Sequence, residues 1–590
     1  MSSLIFSFGL LVVVNGCSNI LVTPKASESG VVLLGDNDDA SKRFGMVTHF
    51  PREKYDGDAQ RQVYDFEQGT YRGSIPQPKE TYNVMSHSNE YGLVIGETTH
   101  GGLETLAADG ILDYGSLIMV TLQRSKTARE AIKTIYELTS KYGYGSTGEG
   151  FSISDGNESW YMELMGKGNI SKGIVFVALK VPDGYVVANA NQARITKFLP
   201  CDDPDKCMMA PDTYSFAVEN GLFNGSKQDF SFSDVYDPVT VSGARFCEAR
   251  VWYMYSRIAH PDDFDSEYYL PYAQGFNLTR RMPLFVRPKT PLTRDTIHEL
   301  LSSKYEDTWL SPSSDVGSGP EHSPYRYNGL TWTVNNNTYV NERIVGTQYT
   351  AWHFVAEIDS SRSHATRALL FWGSDDHTYS PKIPLFGGAT RVHMSYEDKN
   401  CSARLLCRKE HGLPGSMMSF SWDTAYWTAS AVARLVYQDV DRAAPIVLEA
   451  RKCFDRYVSD AVKETLELYA RVQDEEILSY LAETAGAEAT RRWKLLWEHL
   501  MVTFQDGLTA SIDESNLLCG CKKTSPTYDE KWLSTVAKNT GSRYRLPGSN
   551  CAWIDPDGHC HSGKPPLLLG VEEDKKFNTI RKVDVPGVAI

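Results

Sequence analysis

Residues 17–39, CSNILVTPKASESGVVLLGDNDD, follow an apolar run, MSSLIFSFGLLVVVNG, that closes on Val14-Asn15-Gly16. A run of that kind, with Val at −3 and Gly at −1, has the form of a secretory leader, so residues 1–16 are expected to be removed and Cys17 to become the first residue. A cysteine at a free N-terminus carries its own base, because the α-amine takes the thiol proton as attack begins. The reference pKa values, about 8 for the amine and about 8.5 for the thiol, lie close enough for proton sharing near neutral pH. Cleavage would then be activation. Two other fates stay open on position alone. Cys17 could be half of a disulfide, the usual role of a cysteine in a secreted protein. It could also be lipidated, which the absence of Lys and Arg from residues 1–16, and Asn15 before the glycine, disfavour.

The segment after Cys17 reads as a hairpin. Asn19–Thr23 and Val31–Gly35 are apolar and β-branched, with Ala26-Ser27-Glu28-Ser29-Gly30 as the turn. The second strand runs into Asp36-Asn37-Asp38-Asp39, which hairpin geometry returns towards Cys17; Asp38 is read as part of a solvated turn. Residues 45–88 show little periodicity and are read as loops over a sheet. A turn at Asn89 to Gly92 feeds an apolar strand that reaches Thr99. From Lys126 to Tyr142 the spacing is helical, with Thr127 and Glu130 as a capping box and Gly143 as C-cap. Strands are expected at Phe151–Ser154, Trp160–Met165, Ile174–Val181 and Tyr185–Ala190, a helix from Val241 to about Ile258, and β-like segments at Arg343–Ile358 and Arg367–Trp372. Trp422 to about Phe504 reads as helical, with Pro445 as the break. Strands and helices in this order predict an α+β fold of helices packed on sheet layers.

Composition narrows the class. The 590 residues are 41% hydrophobic and 23% charged, ordinary values for a folded chain, and the formal net charge of −14 argues against nucleic acid or an anionic membrane as partner. No segment after the leader has the roughly 20 apolar residues of a membrane helix. Eleven cysteines leave one over if the rest pair; with Cys17 free, ten remain, among them the similarly spaced Cys201/Cys207 and Cys401/Cys407. Asn-x-Ser/Thr acceptors at Asn157, Asn169, Asn224, Asn277, Asn336 and Asn400 agree with a secreted glycoprotein or a lysosome-like lumenal one. The chain divides on this reading into residues 1–16, a body from 17 to 510, and a disulfide-stapled extension from 511 to 590. In that tail, Cys519, Cys521, Cys551, His559, Cys560 and His561 fit no standard zinc spacing, so disulfides are preferred and neither a metal nor any other cofactor is expected.

Taken in order, Cys17 after a leader, GDNDD, NEYGLVIGE, KTAREAIKTIYEL, SWYMELMG, VVANANQARI and SFSWDTAYW resemble the dipeptidase A family of N-terminal-nucleophile (Ntn) hydrolases, which is similar in turn to the penicillin V acylase and bile salt hydrolase group. The resemblance runs from Cys17 to about residue 470. It implies an αββα sandwich and amide hydrolysis of dipeptides or short peptides by Cys17 through a thioester, after signal peptidase has acted. It further implies that Asp39 orients the α-amine, that the backbone N–H of Asn89 and the side-chain amide of Asn191 form the oxyanion hole, and that Arg245, in Ala244-Arg245-Phe246, lies near the thiol. Asp36 stands where the acylases carry Arg; an acidic group there suits the free α-amino group of a peptide. Glu97, Glu163 and Arg194 are read as packed or ion-paired strand residues. Two alternatives remain: an amidohydrolase of N-acyl amino acids, bile-salt-like or lipid amides, and a glycoprotein that keeps the fold without catalysis.

Overall fold

The computed structural model describes residues 16–107, 109–327, 331–401, 404–545, 551–555, 557 and 559–564; the expected leader, up to residue 15, lies outside them. Gly16 is joined to Cys17, so the structure is that of the uncut chain. Two antiparallel sheets carry the architecture. The first has seven strands in the order Phe285–Val286, Val186–Asn189, β1 (Gly16–Val22), β2 (Val32–Asp39), Thr350–Ile358, Ala368–Ser374 and Ile383–Phe386. The second has eight, in the order Cys207–Met209, Ile174–Lys180, Ser159–Gly166, Gly148–Ser154, Val94–His100, Ser88–Asn89, Val84–Met85 and His49–Phe50.

Side-chain alternation shows how the sheets are covered. In Ser159–Gly166, Trp160, Met162 and Leu164 pack with α1 (Tyr114–Leu122) and α2 (Ala128–Tyr142), whereas Tyr161 and Met165 belong to the core shared with the first sheet. The facing sides touch at Ser152, whose hydroxyl donates to Asn19 Oδ1 at 2.6 Å, and at Gly96, where a Cβ would lie 2.3 Å from Asn19 Nδ2 and 2.7 Å from Leu34 Cδ2. The other face of the first sheet takes helices. A Cβ on Gly35 would lie 2.6 Å from Ile297 and 2.7 Å from Leu301, so the helix Arg294–Leu301 sits directly on β2.

The local chemistry of α2 is as expected: Thr127 accepts from the Glu130 N–H at 3.2 Å and Gly143 closes the helix at φ +84°. Three readings change. Residues 45–88 hold short strands rather than loops alone. A helix that the sequence reading omitted, α1, is buried on every side. Pro445 breaks nothing, because it lies near the start of the helix Val440–Val472; the breaks fall at Asp439 and at 473–475, where Gln473 is left-handed.

Four disulfides are formed: Cys201–Cys207, Cys401–Cys407, Cys519–Cys521 and Cys551–Cys560. Eight cysteines therefore pair rather than ten, and Cys247 and Cys453 remain thiols beside Cys17. The chain separates into a large unit ending at Pro526 and a small one from Thr527, so the strand pair Thr509–Ile512 and Cys521–Thr524 belongs to the large unit. The small unit has a helix, Glu530–Thr540, capped by Asp529, and a two-strand ladder next to Cys551–Cys560. No helix among the described residues is long and apolar enough to cross a membrane.

Candidate active site

Strand register assembles the site. β1 and β2 pair with Gly16 opposite Asp39, Cys17 opposite Asp38 and Asn19 opposite Asp36. Alternation then sends Cys17, Asp36 and Asp38 towards the second sheet, and Asp39 the other way. Cys17 is buried, and its thiol donates to Glu97 Oε1 at 3.1 Å, with Asp38 Oδ1 at 3.9 Å. Glu97 comes from the facing strand Val94–His100, and its own N–H donates to Asp36 Oδ2 at 3.2 Å. Arg43 answers part of this charge: it reaches Asp38 at 3.3 Å and, beyond it, Glu67 at 3.0 Å.

The electrostatic result is a masked nucleophile. Burial first, and then the charges of Glu97, Asp38, Asp36 and Asp39, push the Cys17 thiol well above its usual range. Burial likewise raises Asp36, Asp38, Glu97 and Glu149. Burial thus disfavours the charged form of every acid in this pocket.

Behind β1 the polarity reverses. Arg250, fully buried, donates to the Cys17 carbonyl at 2.7 Å, to Ser18 Oγ at 2.9 Å and to Asn191 Oδ1 at 2.7 Å. Asn191 is left-handed, at φ +60°, and its Nδ2 donates to the Thr99 carbonyl at 2.5 Å. Asp39 accepts from Thr350 Oγ1 at 2.7 Å and lies 3.9 Å from Arg343; burial pushes its carboxyl up to about 7 against the pull of Arg343 and Arg250. Gly16 threads between these groups. A Cβ there would lie 2.0 Å from Arg343 Nη2 and 2.3 Å from Asn191 Oδ1, so any side chain at this point of the chain would displace Arg343 or Asn191.

Of the residues singled out from sequence, Cys17, Asp36, Asp39 and Asn191 thus gather around the Gly16–Cys17 peptide. Two do not. Arg245 pairs with Glu342 and lies over the Trp309 ring. The Asn89 side chain donates to the carbonyls of Leu122 at 2.8 Å and Ser125 at 2.7 Å, and its N–H is committed to the Leu93 carbonyl at 3.0 Å. Asp38 is no solvated turn, and Glu97 is more than a packed strand residue, since both meet the thiol. Arg250 and Arg343 escaped notice; the signal for Arg250 was its position one turn after Phe246, on the same helix. No histidine bonds to Cys17 among the described residues. His298, His353 and His377 cluster with one another instead, His298 Nδ1 lying 2.8 Å from His377 Nε2.

The donor atoms of Cys17, Asp38 and Glu97 lie within 4.8 Å of one another, a set that could hold a cation. A cavity of about 450 Å³ adjoins this cluster: Arg43 and Glu67 belong to its wall and Cys17 does not. A second, of about 300 Å³, is lined by Ala40 and Thr350 on the Asp39 side.

The signature of peptidase family C69 matches residues 16–452. A probable dipeptidase of Latilactobacillus sakei is 23% identical over 443 residues, covering 72% of this chain and 81% of that protein. A dipeptidase of Bifidobacterium longum is 23% identical over 415 residues, covering 65% and 73%. A probable dipeptidase B of Lactococcus lactis is 23% identical over 362 residues, covering 57% and 71%. With the match spanning most of its length and opening one residue before the buried thiol, the chain belongs to peptidase family C69.

Proposed function

We propose that this chain is a secretory-pathway cysteine peptidase of the Ntn type, made as a precursor and activated by cleavage between Gly16 and Cys17, which hydrolyses short peptides. The observation that carries it is the crowding of Asp39, Asn191, Arg250 and Arg343 around the one peptide bond whose cleavage would free an amine on the nucleophile. Two facing antiparallel sheets with the thiol between them, and helices on their other faces, support the αββα sandwich. Four disulfides, and acceptor asparagines that are all exposed except the half-buried Asn277, support an oxidising, glycosylating compartment.

The chemistry follows from the geometry. The freed α-amine at the start of β1 lies across from Asp39, whose carboxylate would orient it. It takes the thiol proton as sulfur attacks the scissile carbonyl. The Asn191 amide, whose Nδ2 donates to the Thr99 carbonyl in the uncut chain, would exchange that bond for one to the developing oxyanion. Collapse expels the leaving amine, protonated by the Cys17 ammonium, and leaves a thioester that water hydrolyses with the α-amine as base. The ammonium formed on cleavage also adds positive charge beside the thiol and so opposes the carboxylates that mask it. The buried carboxylates of Asp36 and Glu97 suit the α-ammonium of a peptide better than an acyl chain, which favours peptides over N-acyl or lipid amides. The test is hydrolysis of Ala-Ala and N-acetyl-Ala-Ala by mature wild type and by Cys17→Ala. Turnover of the free peptide that disappears in Cys17→Ala supports the proposal; equal turnover by both proteins ends it.

A further inference from the structure

The 450 Å³ cavity has an end that nothing in the reaction above uses. Gly115, Ser116 and Met119 of α1 line it together with Gln123 at the helix C-cap, and the strand Gln60–Tyr64 runs alongside. At a rise of 1.5 Å per residue, positions 115 to 123 span about 12 Å. The two ends differ in charge state. At the Tyr114 end, Arg43 bonds to the Tyr114 hydroxyl, Glu67 and Asp38, and Asp38 leads on to the thiol. At the Gln123 end stands Arg61, half-buried, bonded to Gln123 Oε1 and lying 4.6 Å over the Phe50 ring.

The cavity's carboxylates are already engaged: Asp65 by Arg72 at 2.7 Å, Glu67 by Arg43, Asp398 by Arg408 at 3.8 Å, and Glu53 by the Tyr55 hydroxyl at 2.5 Å. Among the described residues Arg61 pairs with no carboxylate. Burial and the like charge of Arg124 hold its pKa down to about 10, the mark of a cation without its anion. A guanidinium that lines a cavity with a neutral amide as its hydrogen-bond partner and no carboxylate beside it is suited to a carboxylate.

We infer that Arg61 receives the C-terminal carboxylate of the substrate and that the cavity holds the leaving-group side of peptides longer than a dipeptide. This rests on Cys17 being the nucleophile. The span of about 12 Å corresponds to three or four extended residues at about 3.3–3.6 Å each. The preferred substrates are therefore peptides of about four or five residues with a free C-terminus, the α-amine held by the carboxylates near the thiol and the terminal carboxylate by Arg61.

Binding separates this assignment from the nucleophile itself. The mature chain carrying Cys17→Ala is titrated calorimetrically with tetra-alanine, with tetra-alanine amide and with Ala-Ala. The free acid is expected to bind at least about tenfold more tightly than the amide. Adding Arg61→Gln should bring the acid to the amide's affinity while leaving the amide and Ala-Ala unchanged, which also reports an intact fold; Arg61→Lys should keep part of the preference. Equal binding of acid and amide, loss of both in Arg61→Gln, or no binding of either overturns the inference. Acid preference without hydrolysis by wild type would instead remove the proposed nucleophile and leave the role of Arg61 standing.

Discussion

Glu97→Gln is expected to unmask Cys17. The substitution keeps the size of the side chain and an oxygen that can accept from the thiol, and removes one negative charge 3.1 Å from sulfur. At an effective dielectric of about 20, two full charges at that distance repel by about 5 kcal/mol, from 332 divided by 20 and by 3.1. Burial raises the Glu97 carboxyl and so works against its charged form, and only a fraction of this ceiling is taken to act on the thiol. A quarter of it is a factor of about ten in thiolate population. Iodoacetamide alkylation of the mature chain, read by peptide mass spectrometry at pH 7.5, measures that population, and Cys453, exposed on its helix, serves as a reference in the same molecule. The ratio of Cys17 to Cys453 labelling should rise about tenfold in Glu97→Gln. An unchanged or lower ratio would refute the reasoning that Glu97 bears on the nucleophile.

Other expectations rest on single contacts. Asn191→Gly, which keeps the left-handed backbone, should lower kcat on Ala-Ala by about a hundredfold or more with little change in KM. Gly35→Val, whose first added carbon would meet Ile297 and Leu301 below 3 Å, should lower stability by about 1–3 kcal/mol in urea unfolding. Burial raises the Asp375 carboxyl to about 7, so the proton it holds in the folded state stabilises the protein at low pH, and that contribution is lost as pH rises from about 4 through 7. Asp375→Asn, which tolerates the φ of +71° there, should therefore raise the melting temperature more at pH 8 than at pH 5.

How far the sequence could be read depended on whether the decisive contact was local. The β1–β2 hairpin and α2 follow from neighbouring residues: a Ser/Gly turn in one, a capping box and a C-cap glycine in the other. The hairpin in turn placed Asp36 and Asp39 beside Cys17. α1 was invisible for the opposite reason; buried on all sides, YGSLIMVTL has no polar stripe to mark a period. Asp38 was misjudged because its burial comes from the facing sheet, which no pattern within β2 reveals; Glu97 was read as a packed strand residue, and what its own strand does not reveal is the thiol that it meets across the sheets. Arg245 and Arg250 lie in one segment, ARFCEAR, in which residues 244–248 form a π-turn; the wider turn alters which side chain faces β1, and the inward arginine is the second. Asn89 sits in a tight turn whose amide closes on Leu93, a detail of backbone geometry rather than of residue type.

The central claim is that processing makes the nucleophile. N-terminal sequencing and intact mass of the chain purified from a secretory host, before and after native iodoacetamide treatment, test it most directly. The account predicts a chain that begins at Cys17 and carries one carboxamidomethyl group on that residue, while an uncut form ending its leader in Gly16 stays unlabelled at Cys17. A mature chain that begins elsewhere, or a Cys17 that is lipidated, disulfide-bonded or as reactive before cleavage as after it, would contradict the account.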